Sequence, residues 1–155
     1  MRKKLVAMAV AMTLAGCGGD DNANVSGVLL DSAVQGVDYM ATPSGKSGQT
    51  TAGGNFTCVT GDTVAFKVGG IALGSAACAA TITPLELAAA TDLRDDKVSN
   101  RLLFLQTLDA DDDPDNGIAI SAAMRSQLAA SSLDFSQPQA AFDTAFSSLV
   151  GALPA

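Results

Sequence analysis

The sequence predicts an α+β protein in which a small N-terminal antiparallel β-sandwich is followed by a C-terminal part of short helices. Ten glycines lie between Gly27 and Gly74, and only two follow residue 80. Residues 22–80 carry three acidic and two basic side chains, whereas residues 81–155 carry eleven and four. Apolar residues alternate before this point and recur with helical spacing after it. The changes in composition mark a boundary near residues 79–82.

The first half contains several short segments that are typical of strands. One is expected around Gly27–Leu30, and "GVDYMAT" predicts another, with Val37 and Tyr39 on one face. A weak strand is predicted near Gln49–Thr51. "NFTCV" and "DTVAFKVGG" alternate apolar and polar residues, and Thr60-Gly61 between them predicts a tight hairpin turn. Strands this short, with turns about every ten residues, favour a small sandwich over parallel strands joined by helices.

The second half predicts four helices. Thr83-Pro84-Leu85-Glu86 combines a threonine cap, a proline at the first helical position and a glutamate three residues after the cap. A second helix is predicted in "DDKVSNRLLFLQTL", a third from Ser121 and a fourth after Ser136. The side chains predicted to face the core are Val98, Leu102, Leu105 and Leu108 with Leu103 and Phe104 beside them, then Met124 and Leu128, then Phe142, Phe146, Leu149 and Val150.

The first sixteen residues are typical of a secretory leader. Three basic residues precede Leu5–Ala15, an uncharged run of 11 residues, and a membrane-spanning helix needs about 20. Leu14-Ala15-Gly16-Cys17 resembles the lipobox of bacterial lipoproteins. The resemblance implies removal of residues 1–16 and attachment of fatty-acyl chains, palmitate among them, to Cys17. Two or more such chains give stable anchoring where one is marginal.

The residues after Cys17 predict where the anchored protein is held. Position 18 is glycine, not the aspartate that resembles an inner-membrane retention signal, which favours the outer membrane. The segment 17–24 is expected to be a short tether because "GGDDNAN" is small and polar. The predicted organisation is therefore a leader (1–16), a tether (17–24), a β-module (25–80) and a helical part (81–155).

Cys58 and Cys78 remain once Cys17 is modified. An even number of cysteines in an oxidising compartment outside the inner membrane favours a disulfide, worth about 3 kcal/mol in the chain-entropy treatment. The alternative is a pair of buried free thiols. A zinc site is disfavoured because the chain has only two further thiols and no histidine.

The β-half contains a recurrent pattern of residues: Asp31-Ser32, Val34, Gly36-Val37, Tyr39, Thr51, Gly54, Phe56, Gly61, Phe66 and Gly69-Gly70. This pattern resembles the transthyretin-like or carboxypeptidase-regulatory type of β-sandwich found in bacterial envelope proteins. "RLLFLQTLDADDDPDNGIAI" resembles a helix and acidic loop that follow such modules in bacterial lipoproteins of unassigned function. Cys58 departs from the pattern, where an aromatic residue is expected, and this departure strengthens the disulfide prediction. The resemblance implies an accessory domain without catalysis.

The acidic loop 109–117 is the candidate metal site. Asp109, Asp111, Asp113 and Asp115 have the alternate spacing by which a calcium loop brings oxygen ligands together. The glutamate that closes an EF-hand is missing, and Pro114 interrupts the wrap. The alternative is a hydrated polar turn between two helices. No other cofactor is expected.

Several functions are disfavoured by composition. The formal net charge of −7 and the lack of a basic patch argue against nucleic acid as a partner. "SGKS" at 44–47 lacks the first glycine of a phosphate-binding loop. Without histidine, serine–histidine and cysteine–histidine catalysis is excluded. A hydrolase would need paired carboxylates, for which Asp31, Asp38, Glu86 and Asp92 are weak candidates.

The function expected from the sequence is non-enzymatic. The chain is predicted to be an envelope lipoprotein, anchored in the membrane by lipid, that acts as a structural module or binds another envelope protein. A calcium-binding module centred on the acidic loop is the alternative.

Overall fold

The computed structural model describes residues 22–113 and 115–153, and the predicted leader and Cys17 lie outside this range. The predicted α+β class with a β-sandwich-like part is confirmed. The strands are β1 Asn24–Leu29, β2 Val34–Gln35, β3 Asp38–Thr42, β4 Ser47–Gln49, β5 Asn55–Val59, β6 Thr63–Val68, β7 Ile71–Ala77, β8 Thr81–Ile82 and β9 Ile118–Ala119. The helices are α1 Pro84–Leu87, α2 Asp96–Thr107, α3 Ala122–Gln127 and α4 Gln139–Gly151.

Two sheets enclose the core of the β-half. One has the order β5-β1-β8 and the other the order β4-β3-β6-β7. Alternation along β6 buries Val64, Phe66 and Val68 and leaves the residues between them exposed. Phe56 on β5 meets Phe66 edge to face, with the ring centroids 5.2 Å apart, so the two sheets are joined by aromatic packing.

The turn at Thr60-Gly61 is not part of a hairpin. The turn itself is present, because the Asp62 amide donates to the Val59 carbonyl at 2.9 Å. However, β5 pairs with β1, and β6 pairs with β3 and β7, so the chain crosses from one sheet to the other at this point. The predicted β5–β6 pairing is therefore wrong. Both strands present apolar residues to the same core, but they do so from opposite sides.

Four strands, β2, β7, β8 and β9, lie outside the segments predicted as strands. β7 is the longest strand, and its sequence "IALGSAA" contains five small residues and a single β-branched residue, Ile71. β8 joins the first sheet by parallel pairing with β1, and β9 pairs in parallel with β2. These two pairings connect the helical part of the chain to the β-half.

The helices follow the predicted order. Thr83 and Glu86 form the predicted capping box at the start of α1. On α2 the buried apolar residues are Val98, Phe104 and Leu105, and Leu102 is only partly buried. Phe104 contacts Phe135 and Phe146, at centroid distances of 5.3 and 5.6 Å. The phenylalanine is therefore more central to this core than the predicted stripe suggests.

One continuous apolar cluster extends through both halves, from Leu29 on β1 to Phe146 on α4. Arg101 reinforces the junction, because its Nε donates to the Leu73 carbonyl of β7 at 2.5 Å and its guanidinium lies 5.0 Å from the Phe135 ring centroid. Within the part of the chain that the structure describes, no helix is long and apolar enough to cross a membrane.

Candidate functional site

An acidic cleft forms where β1 ends and α2 ends. The turn after β1 carries Asp31 and Ser32, and Gln106 near the end of α2 reaches this turn, with its Nε2 3.4 Å from an Asp31 carboxylate oxygen. The cleft has a volume of about 450 Å³. It is lined by Asp31, Ser32, Gln106, Asp109, Asp112 and Ile118. Three carboxylates and two neutral polar side chains thus border one concave surface.

Hydrogen bonds on the C-terminal side of the acidic loop hold it to the β-half. The Asp109 carboxylate accepts a hydrogen bond from the Ala119 amide at 2.9 Å, which closes the loop on itself. The amide of Ile118 donates to the Ala33 carbonyl at 3.0 Å, in the same turn as Asp31. The pairing of β9 with β2 continues this connection. The loop therefore faces Asp31 because backbone hydrogen bonds hold both segments.

Side chains of the loop make local turns. Asp111 accepts from the Asp113 amide at 3.2 Å, and Asp113 accepts from the Asp115 amide at 3.0 Å, the pattern of successive Asx turns. Asn116 Nδ2 donates to the other Asp111 oxygen at 2.8 Å. Asp112 has a φ of +55°, the left-handed conformation that aspartate tolerates better than most residues. These hydrogen bonds favour the polar-turn alternative for the loop.

The predicted calcium ligands are not drawn together around a common point. Over residues 22–113 and 115–153, no group of three or more acidic, cysteine or histidine side chains is placed to hold a metal ion. Calcium binding by Asp109, Asp111, Asp113 and Asp115 stays a prediction, and binding would require the side chains to leave their present turns.

Calcium titration tests this prediction directly. Because the turns occupy several carboxylate oxygens, we expect neither heat in a calorimetric titration with millimolar calcium nor a rise in Tm. Binding at a dissociation constant of about 1 mM would stabilise the protein by roughly 1.4 kcal/mol at 10 mM calcium. A calcium-dependent rise in Tm that disappears in Asp111→Asn/Asp113→Asn would contradict the expectation and establish the site.

Asp31 is the acidic residue of the cleft whose pKa its surroundings shift. Partial burial raises the pKa of its carboxyl above the ordinary value of 3.8, although the hydrogen bond from Gln106 acts in the opposite direction. Because the folded protein holds this proton more tightly than the unfolded chain, the stabilising contribution is complete below pH 3.8 and is lost as the pH rises through the folded pKa. At neutral pH the ionised Asp31 is therefore a source of instability in the cleft.

Replacing this carboxylate should stabilise the protein at neutral pH. Asp31→Asn keeps an oxygen that can accept from Gln106 but cannot ionise, so we expect Tm to rise by about 2 °C at pH 7 and to be unchanged at pH 3. Thermal denaturation followed by circular dichroism measures both values. Asp134→Asn is the matched control, because hydrogen bonds from Ser136 lower the pKa of Asp134 and its replacement should reduce Tm at pH 7. A rise in both variants would indicate a general effect of net charge.

The predicted disulfide between Cys58 and Cys78 is confirmed, with the two Cα atoms 6.0 Å apart. It joins the end region of β5 to the residue that follows β7, and so connects the two sheets. It lies at the end of the sandwich where β1 begins, because Cys58 is paired with Val25. The disulfide and the acidic cleft are therefore at opposite ends of β1.

The end of the sandwich near the disulfide is held by Asp62. Its carboxylate accepts from the Ser44 amide at 3.0 Å, the Ser44 hydroxyl at 2.6 Å and the Val59 amide at 2.7 Å. Burial acts to raise the pKa of Asp62, but these hydrogen bonds outweigh it and the pKa is lowered. Segments 43–46 and 60–62 are thereby joined, and we call these two segments the tether end.

The four acids considered for hydrolysis serve separate local roles. Asp38 accepts from Gln49 Nε2 at 2.8 Å, Glu86 completes the capping box of α1, and Asp92 accepts from the amide two residues later. Only Asp31 lines the acidic cleft. Sequence reasoning missed that Asp31 lies beside Gln106 and the acidic loop, since no local signal indicates that residues 75 positions apart meet.

Comparisons of this chain with protein-family models, with curated proteins and with solved structures found no match.

Proposed function

We propose that this protein is a non-enzymatic envelope lipoprotein, anchored through Cys17, whose β-sandwich holds the acidic cleft away from the membrane for contact with another envelope protein. The observation that carries the proposal is the placement of the chain's entry and the cleft at opposite ends of the sandwich. β1 begins at Asn24 and ends at Leu29, directly before the turn that carries Asp31. Six strand residues span about 20 Å.

The entry point of the chain is fixed in the fold. The Ala23 carbonyl accepts hydrogen bonds from the Thr60 amide at 3.0 Å and from the Thr60 hydroxyl at 3.3 Å. Asn24 then pairs with Val59 as the first register position of β1. Only residues 18–21 separate Cys17 from the first described residue, so a lipid on Cys17 would hold the tether end close to the bilayer.

At the end of the sandwich opposite the chain entry, contacts hold the segment after the acidic loop to the sandwich, as a spacer requires. Arg125 of α3 donates to the carbonyls of Ile120 at 2.7 Å and Gly36 at 3.3 Å. The Gly70 amide, in the turn between β6 and β7, donates to the Leu128 carbonyl at 2.9 Å. Together with the β2–β9 pairing, these contacts connect the segment after the acidic loop to the sandwich at three places. We call the acidic cleft and residues 109–127, from the acidic loop through β9 to the end of α3, the far end.

The chemistry of the far end supports contact with a partner rather than a reaction. The chain contains no histidine. In the acidic loop, Asp109, Asp111 and Asp113 accept hydrogen bonds from backbone amides, and these roles position the backbone. A cleft bordered by Asp31, Asp109 and Asp112 complements a protein surface that carries lysine or arginine, since opposite charge increases the association rate and the specificity of an interface.

Loss of the lipid-bearing cysteine tests the proposal. In a Gram-negative host, with residues 1–16 replaced by a secretory leader whose removal does not require Cys17, we expect Cys17→Ala to move nearly all of the protein from the membrane fraction to the soluble fraction, because neither an acyl chain nor an apolar leader remains to insert into the bilayer. Cell fractionation with immunoblotting measures this, and mass spectrometry of the N-terminus identifies the modification. Gly18→Ala is the matched control and should stay in the membrane. Cys17→Ala protein found wholly in the membrane fraction would refute the proposal.

A further inference from the structure

We propose that the tether end is the surface that faces the bilayer, and that repulsion between the far end and anionic lipid headgroups keeps the anchored protein upright. This inference rests on the proposed lipid anchor at Cys17. It adds a physical cause for the upright orientation and names a second contact, the lipid headgroup surface. A lipid on a short tether keeps the tether end near the membrane, but it does not by itself stop the body from tilting until one of its sides also touches the bilayer.

The described residues of the tether end carry no exposed acidic side chain. Asp62 is the only acid in segments 43–46 and 60–62, and it is 3% exposed. Its oxygens are covered by the donors of Ser44 and Val59. Lys46 is the only base of these segments and is partly exposed. The tether end therefore presents neutral polar groups and one positive charge to the headgroups.

The far end has the opposite character. Asp111, Asp112, Asp113 and Asp115 are exposed, and Asp31 and Asp109 are partly buried beside them. The basic residue of α3, Arg125, is partly buried, and its guanidinium is directed to the backbone carbonyls of Gly36 and Ile120. The far end therefore carries a local excess of negative charge. The acidic loop contains no lysine or arginine that could offset it.

The sandwich is long enough for this difference in charge between its two ends to affect the orientation of the protein. In 0.1 M salt the Debye length is about 10 Å, which is half of the roughly 20 Å that β1 spans. An upright body therefore keeps the acidic loop beyond the range of the membrane's negative potential, whereas a body lying on its side brings the loop into it. The tether residues Asp20 and Asp21 stay near the anchor in either orientation, so they do not distinguish between them.

Fluorescence quenching in liposomes tests the orientation. The full lipidated chain would carry a single fluorophore at Thr63→Cys, next to the tether end, or at Ala110→Cys, in the acidic loop; both positions are exposed. The vesicles would contain phosphatidylcholine and phosphatidylglycerol, with a nitroxide quencher on part of the headgroups. We expect the label at position 63 to be quenched several-fold more strongly than the label at position 110. The difference should shrink in 1 M salt, where the Debye length is about 3 Å.

A charge variant separates the electrostatic cause from the geometry of the tether. Replacing Asp111, Asp112, Asp113 and Asp115 together by Asn keeps an acceptor oxygen for each turn and removes four charges. Quenching at position 110 should then approach that at position 63. Equal quenching of both labels in the unaltered chain, or no change in the Asn variant, would overturn the proposal while the anchor stands. Failure of the lipidated chain to float with the vesicles would instead refute the anchor and, with it, this orientation.

Discussion

Removal of the Cys58–Cys78 disulfide is expected to lower the free energy of unfolding by about 3 kcal/mol, because the bridge closes a segment with a sequence separation of 20 residues and restricts the unfolded chain. The variant Cys58→Ala/Cys78→Ala removes both sulfurs and so leaves no free thiol. A loss of this size should reduce Tm by about 10 °C in a domain of this length. Urea denaturation and thermal scans would measure the two quantities.

Reduction of the unaltered chain provides the matched control for this experiment. Dithiothreitol should lower the Tm of the unaltered protein to near that of the double variant, and it should leave the double variant unchanged. If dithiothreitol has no effect on the unaltered chain, the stabilisation assigned to the bridge is wrong. A much larger loss in the variant than in the reduced protein would show that packing around Cys58, which is fully buried, contributes more than the covalent bond.

The position of the disulfide connects stability with the proposed function. The bridge joins the two sheets at the end where the chain enters, beside the Asp62 hydrogen bonds. The Cys78 amide donates to the Asp62 carbonyl at 2.9 Å, so the covalent bond and the hydrogen-bonded turn support the same corner. A protein held through its N-terminal tether would transmit any pull from the membrane to this corner first. The cross-link there holds β5, the pairing partner of the entry strand β1, to the second sheet.

Features set by local chemistry could be predicted from the sequence. The capping box at Thr83 needs only four neighbouring residues, and the alternation in β6 is visible within a single strand. The disulfide was predictable because only two cysteines remain once Cys17 is assigned to the lipid. In each case the information lies within a short window of the chain or in a count of residues.

Features set by distant contacts could not be predicted in the same way. The turn at Thr60-Gly61 looks the same whether the chain reverses within one sheet or crosses to the other, and the crossing is decided by which partners β5 and β6 find. β7 contains Gly74, and β-propensity alone gives such a segment little weight. The cleft depends on the approach of Gln106 to Asp31, for which the local sequence of neither residue gives a signal.

Gly36→Ala is expected to lower the free energy of unfolding by about 3 kcal/mol, because the far end approaches the sandwich closely at this residue. Gly36 has a φ of +84°, and a Cβ placed there would lie 2.3 Å from the Ile120 carbonyl oxygen and 2.7 Å from the Arg125 guanidinium. The left-handed conformation alone costs a residue with a Cβ about 1 kcal/mol. The overlap with a backbone atom adds about 2 kcal/mol, because the segment after β9 must shift. Urea denaturation measures the total.

Gly45→Ala separates conformational strain from the close approach. Gly45 has a similar φ of +76° but no heavy atom within 4 Å of the added Cβ, so its substitution should cost only about 1 kcal/mol. Hydrogen exchange supplies a second readout that is specific to the far end. The Ile120 amide donates to the Gln35 carbonyl at 3.1 Å, and its protection should fall in Gly36→Ala and stay unchanged in Gly45→Ala. Equal losses of stability in the two variants would show that the far end is not held against β2 as tightly as the proposed spacer requires.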